Sequence, residues 1–237
     1  MMKMMILAPR RADMTHAEFR RYVTGVHGPL VKSVPEVAAG IRHYHYNFPV
    51  HGGTDEAFGH PIADHLDIVT QGSFDSRAAQ LRNMAQPRYL EIVRPDEHRF
   101  AGDGAVMHYT HEIVVTPGEP TLDKIFYFRR RREGLGRAEF QSLWRSAFTE
   151  IVSDSPLWAE VVSRCSQYHV MAETDHPSGN DPKFYDLMDE LFLRERGGIG
   201  RLREDADLIA RIAALEAELL DPRRTLAILT ETVVNIP

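Results

Sequence analysis

"KMMILAPRRADMTHAEF" at residues 3–19 and "KIFYFRRRREGLGRAEF" at residues 124–140 overlie one another at an offset of 121. Lys3/Lys124, Arg10/Arg131, Arg11/Arg132 and the tripeptides Ala17-Glu18-Phe19 and Ala138-Glu139-Phe140 are identical. Further on, Tyr44-His45 falls over Tyr168-His169, Asp67-Ile68 over Asp186-Leu187, and THEIVV (110–115) over LTETVV (229–234). Matches that keep their order, with small shifts absorbed in loops, mark a duplication. The chain divides into residues 1–118 and 119–237.

Each half repeats one pattern. A β-rich run (4–8; 125–129) ends in a basic turn. A helix follows; in the first half Thr15-x-x-Glu18 predicts a capping box, and Phe19, Val23, Val26 and Leu30 predict one apolar stripe. Two strand candidates come next. In the first half they are IRHYHYNF (41–48) and HLDIVTQG (65–72), around a Gly/Pro-rich loop; in the second they are SRCSQYHVM and KFYDLMDELFL, around AETDHPSGNDPK. In the following helix of the second half, Leu208, Ile212, Leu215 and Leu219 recur at helical spacing, and Pro222 stops it. A last strand (105–115; 225–234) closes each half. The order βαββαβ, twice, predicts an α+β chain of two tandem ferredoxin-like units, each an antiparallel sheet with helices on one face. The two bare faces are expected to pack into an intrachain α/β barrel, whose interior would offer an apolar pocket.

Composition narrows the function. With 237 residues, 43% of them hydrophobic and 26% charged, the chain is an ordinary globular one. It has no apolar run of about 18 residues, so no membrane span is expected. The start is too short in its apolar stretch, and lacks a small-residue cleavage site, for a signal peptide. A net charge of −6 argues against nucleic acid as a partner. The single cysteine, Cys165, excludes an internal disulfide, fits a cytoplasmic protein and reads as a small core residue. The excess of arginine over lysine, 24 to 4, fits a GC-rich bacterial genome. Histidines are uneven: ten of the 12 precede residue 112, and only His169 and His176 follow.

The first half resembles EthD-type members of the dimeric α/β-barrel superfamily. The resemblance is carried by RRADMTHAEFRRYVTGVHGPLV, GIRHYHYN, LDIVTQGSFDS and QPRYLEIVRPDEHRF. The spacing Phe19…Tyr22…Val26-His27-x-Pro29-Leu30 with Asp96-Glu97-x-x-Phe100 is its most specific part. It implies a ferredoxin-like barrel, usually of two subunits and here fused, in a superfamily that holds cofactor-free monooxygenases, cyclases, isomerases, dehydratases and haem enzymes. The second half looks like a degenerate copy, because Phe148 stands at the position of His27 and the Gly-Pro is lost.

His27 is the leading candidate for catalysis. It flanks the apolar stripe, and Gly28-Pro29 is expected to kink or end the helix there. Freed carbonyls at that helix end would favour the imidazolium and suit acid–base work. On the strand 41–48, alternation puts His43, His45 and Asn47 on one face, and Arg42, Tyr44, Tyr46 and Phe48 on the other. On 105–115, His108, Thr110 and Glu112 share one face, Tyr109 and His111 the other. The expected catalytic set is His27, His43, His45 and His108, with Tyr22, Tyr44, Tyr46, Asn47, Asp67, Tyr109 and His111 positioning substrate. Asp67 and Asp186 occupy equivalent positions, which equally fits a structural hydrogen bond. Arg129 to Arg132 reads as a solvated strand end. His43-x-His45 allows a two-histidine metal site on a strand, but no further motif supports it, and neither metal nor cofactor is expected. The histidines together with what the resemblance implies lead to the expectation of a cofactor-independent enzyme on a small apolar, aromatic or polyketide-like molecule, acting as a lyase, dehydratase, cyclase or isomerase. A cofactor-free monooxygenase is the runner-up, and a non-catalytic carrier of a hydrophobic metabolite is the rival from another class. Pairing of two fused chains into a homodimer stays open.

Overall fold

A computed structural model describes residues 1–172 and 184–236. The predicted loop at 173–183, with His176, lies outside the described residues. The elements of the first repeat are β1 (Met2–Ala8), α1 (His16–Tyr22), a π turn (Val23–His27), α2 (Gly28–Ser33), α3 (Pro35–Ala38), β2 (His43–Pro49), β3 (Ile68–Phe74), α4 (Arg77–Met84), a second π turn (Tyr89–Val93), α5 (Arg94–Glu97) and β4 (Val106–Thr116). Those of the second repeat are β5 (Asp123–Arg129), α6 (Arg137–Asp154), α7 (Pro156–Val161), β6 (Val162–Val170), β7 (Leu187–Leu193), a 3-10 turn (Gly198–Glu204), α8 (Ala206–Leu219) and β8 (Leu226–Ile236).

By its contacts the chain forms two units. The first holds Met1–Pro49, Asp64–Thr110 and the residues from Thr232 onward; the second holds Val50–Ala63 and His111–Glu231. The first unit orders its strands β4-β1-β3-β2 and the second β8-β5-β7-β6, with antiparallel neighbours. The long strands β4 and β8 each contribute residues to both units. The hydrogen-bonded order therefore closes as an eight-stranded barrel, β1-β3-β2-β8-β5-β7-β6-β4.

Local sequence explains most elements. Thr15 and Glu18 form the capping box that starts α1. In α8 the buried residues are Leu208, Ile212, Leu215 and Leu219, and Asp205 caps the first turn through the Leu208 amide at 3.0 Å. Strands β3 and β7 are buried along their whole length, as strands covered on both faces must be.

Two expectations need correction. The first-helix stripe is Phe19, Val23, His27 and Val31, while Val26 is 46% exposed. The π turn adds a residue to one helical turn, so every fourth residue falls in line and His27 takes the buried place foreseen for Val26. Nor is Arg129–Arg132 a solvated end. Arg129 and Arg130 are buried, and Arg131 pairs with Asp186 as Arg10 pairs with Asp67 (3.0 Å). Both aspartates also accept the amide of the arginine they hold, from Arg10 at 2.8 Å and Arg131 at 3.1 Å. The motif is a turn clamp in either repeat. Cys165 is buried and free, in the core of the second unit.

Candidate functional site

A cavity of about 280 Å³ lies within the first unit, between the helix-covered face of its sheet and the helices themselves. It therefore does not lie in a barrel interior, where a pocket was expected. Its sheet side is Met4, Ile6 and Ala8 of β1, Tyr44 and Tyr46 of β2, and Ile68, Thr70 and Phe74 of β3. Its helix side includes His27, Val31, Val37, Tyr89, Val93, Glu97 and Phe100. Between Thr70 and Phe74, Gly72 keeps room open: a Cβ there would come within 3.1 Å of both Met4 and Phe74. The lining is mostly apolar with a few polar groups, the usual make-up of a small-molecule site.

The two π turns bring the polar groups in. Gly28 N–H donates to Val23 and Arg94 N–H to Tyr89, five residues back in each case. A proline follows at once, Pro29 or Pro95. Proline offers no N–H and its ring crowds the carbonyl four residues back, so the preceding turn widens. The helix neither ends nor frees its carbonyls at His27, as had been expected: His27 and Gly28 both keep helical dihedrals.

His27 is 3% exposed, and its partner is a carboxylate. Nδ1 lies 3.0 Å from Asp96 Oδ2, while the Tyr22 hydroxyl donates to Asp96 Oδ1 at 2.5 Å. Asp96 is itself buried, so both of its oxygens are held. An ionised Asp96 requires the proton on Nδ1, which leaves the Nε2 lone pair as the base. Burial lowers the His27 pKa below the ordinary histidine value, against the opposing pull of the Asp96 hydrogen bond and of the charges on Glu97 and Asp96. The ring is thus neutral near neutral pH, with the Nε2 lone pair open to a proton. Phe100 packs on it with centroids 4.6 Å apart.

Tyrosines supply the donors. Tyr46 is 1% exposed, and its hydroxyl has no hydrogen-bond partner among the described residues. Its ring meets that of Tyr44 edge-on at 5.1 Å. Burial drives both phenols far up, and the charge on Glu97 adds to this, so each stays protonated. Tyr89 donates to Glu97 Oε1 at 2.7 Å.

Of the residues singled out from sequence, His27, Tyr44 and Tyr46 line this cavity, and Tyr22 is joined to His27 through Asp96, behind the lining. The others lie elsewhere. Asn47 is buried away from the cavity, donating to Val69 O (2.8 Å) and Gln71 Oε1 (3.0 Å) and accepting from Thr232 (2.7 Å). His43 and His45 stand side by side, rings 6.3 Å apart, and are not in its lining. Met107 lines the cavity, but His108, next along the strand, does not. Tyr109 lies under the Arg77 guanidinium at 5.1 Å. His111 is exposed and belongs to the second unit. Asp67 is spent on the turn clamp, where His16 also reaches it at 2.7 Å. Alternation tells that a strand has two faces without telling which one meets the helices. Sequence reading passed over Asp96, Glu97 and Tyr89, although Asp96-Glu97 stood in the motif that carried the family resemblance.

Residues 11–104 match the model of the EthD domain. The chain is 30% identical over 103 residues to the conidial pigment biosynthesis dehydratase EthD of Metarhizium robertsii, which covers 40% of this chain and 70% of that protein. An anthrone oxidase-like protein of solved structure has a TM-score of 0.62 at 8% identity, covering 99% of this chain and 93% of its own. A candidate monooxygenase from Fusobacterium nucleatum has a TM-score of 0.61 at 6% identity, covering 98% and 93%. At such identities the likeness is one of fold.

Proposed function

The chain belongs to the EthD domain family, and on that premise we propose that it is a small-molecule enzyme whose first unit removes water from an aromatic or polyketide-like hydroxyketone. The observation that carries this reading is the buried His27 on the wall of a mostly apolar cavity, bonded on its far side to Asp96. His27 Nε2 takes the proton from the carbon next to the carbonyl, and Asp96 steadies the imidazolium that results. The Tyr46 hydroxyl donates to the carbonyl oxygen as it gains charge. The carbon–oxygen bond to the β-hydroxyl then breaks, the imidazolium returns its proton to that oxygen, and an enone and water leave. His27 ends neutral, ready for another cycle. The dehydratase named among the relatives supports this choice over isomerase or cyclase chemistry, which shares the first proton transfer.

A monooxygenase reading shares that step too, and the fold likeness to a candidate monooxygenase favours it as the second choice. Anaerobic incubation with a bicyclic aromatic β-hydroxyketone separates them. The dehydratase forms the enone without oxygen, and His27→Ala abolishes this. A strict need for oxygen moves the assignment to the monooxygenase. Tight binding without any product moves it to a carrier.

A further inference from the structure

We infer that Glu97 selects the substrate of the cavity, which takes a flat aromatic molecule donating a phenolic hydrogen to this carboxylate and turns away a carboxylate. The inference rests on the reading of the cavity as the substrate site. Glu97 lines the cavity, and Tyr89 holds its Oε1. No other side chain or amide among the described residues bonds to the Glu97 carboxylate, so one oxygen stays available to a ligand.

The second unit shows what such a carboxylate holds when its surroundings are filled. At the repeat offsets, Glu216 corresponds to Glu97, Arg129 to Ala8, Phe148 to His27 and Asp189 to Thr70. Arg129 is 1% exposed, and its flat guanidinium lies 4.8 Å from the Tyr127 ring and 4.4 Å from the Trp144 ring. It donates to Glu216 through Nη1 and to Asp189 through Nε at 2.8 Å. A planar donor between rings, bonded to the corresponding glutamate, thus occupies this place in the second unit. The first unit has Ala8 there instead, and a cavity.

Charge decides between a cation and a neutral donor. The arginine of the second unit meets two carboxylates, Asp189 and Glu216. In the first unit the Asp189 position is the uncharged Thr70, and Asp96 is already engaged by His27 and Tyr22. The lining also holds Arg94, but that side chain is exposed, so one available carboxylate in a mostly apolar lining matches a neutral hydroxyl donor. A ligand carboxylate would face Glu97 with like charge at low dielectric, which disfavours it.

Equilibrium binding of 2-naphthol, 2-methoxynaphthalene and 2-naphthoate to the full chain tests this. The naphthol is expected to bind about tenfold to a hundredfold tighter than its methyl ether, the range of a hydrogen bond to a charged acceptor, and the naphthoate weakest of the three. In Glu97→Gln and Glu97→Ala, checked for folding by circular dichroism, the naphthol-to-ether ratio should collapse toward one; in His27→Ala it should persist. Equal affinity for naphthol and ether, no measurable binding of any of the three, or an unchanged ratio in both Glu97 variants overturns the inference. If the preference holds while His27→Ala turns over at the wild-type rate, the dehydratase reading falls and this one stands.

Discussion

The two units share a strand order and a turn clamp, yet at the place of the first unit's cavity the described residues of the second bring together Arg129, Phe148 and Trp144. The first keeps His27, Asp96, Ala8 and Thr70; the second has Phe148, Leu215, Arg129 and Asp189 at the corresponding positions. Trp144 and Phe148 stack at 5.5 Å, and Trp158 meets Phe148 edge-on at 5.7 Å, so aromatic side chains fill the second unit. The clamp Arg10–Asp67 and its copy Arg131–Asp186 survive in both. What both repeats retain serves the frame. What only the hollow one retains points to chemistry.

The contrast gives sharp tests. His27→Ala should lower kcat/KM by about 10²–10⁴-fold, the usual share of general acid–base catalysis, with the unfolding midpoint little changed. Arg129→Met should leave activity largely intact but destabilise the chain by about 3–5 kcal/mol in urea unfolding, because Asp189 and Glu216 lose their buried cation. If Arg129→Met instead removed activity alone, the division into a working and a filled unit would be wrong. Asp96→Asn should lower kcat about a hundredfold, since the amide no longer holds the Nδ1–H tautomer. Ala8→Leu puts bulk where the second unit has Arg129. It should weaken 2-naphthol binding about tenfold and cost less stability than the about 1–3 kcal/mol of overpacking a full core.

The smallest effect concerns pH. Burial holds the folded His27 below the ordinary histidine value, so activity should rise with pH along an acid limb that lies below about 6.5 and stay level through neutrality. The unfolded chain binds this proton more readily, so stability also falls as pH drops through the folded value. Asp96 raises the His27 pKa, and in Asp96→Asn the limb should move to still lower pH. A limb that moved upward would separate Asp96 from His27.

Much of the frame was legible because repeats and periodicity are local signals. The Leu208–Leu219 pattern and the Thr15–Glu18 box each rest on spacing within a short window, and the offset of 121 rests on identities within short segments. The site was legible only at His27, Tyr44 and Tyr46. Residue type and strand alternation single out His43, His45 and His108, and neither signal tells whether a side chain lines the cavity beside His27. Asp96 and Glu97 become visible only when two helices, 69 residues apart at the His27–Asp96 contact, meet over the sheet. Proline was read as a helix breaker. Its effect here is to widen the turn before it, which no propensity reports.

The hollow unit is also discontinuous. Thr232 donates to Asn47 across 185 residues, and Asn235 Nδ2 reaches the Gly28 carbonyl, beside His27, at 3.3 Å. The helix that carries the candidate base is thus touched by the strand that ends the second repeat. Contacts so far apart in sequence form late and slowly. A ribosome that has made only residues 1–118 has made nearly every group of the cavity, but not the strand end that rests against it. A truncation within β8 is expected to lower activity even though no residue of β8 lines the cavity.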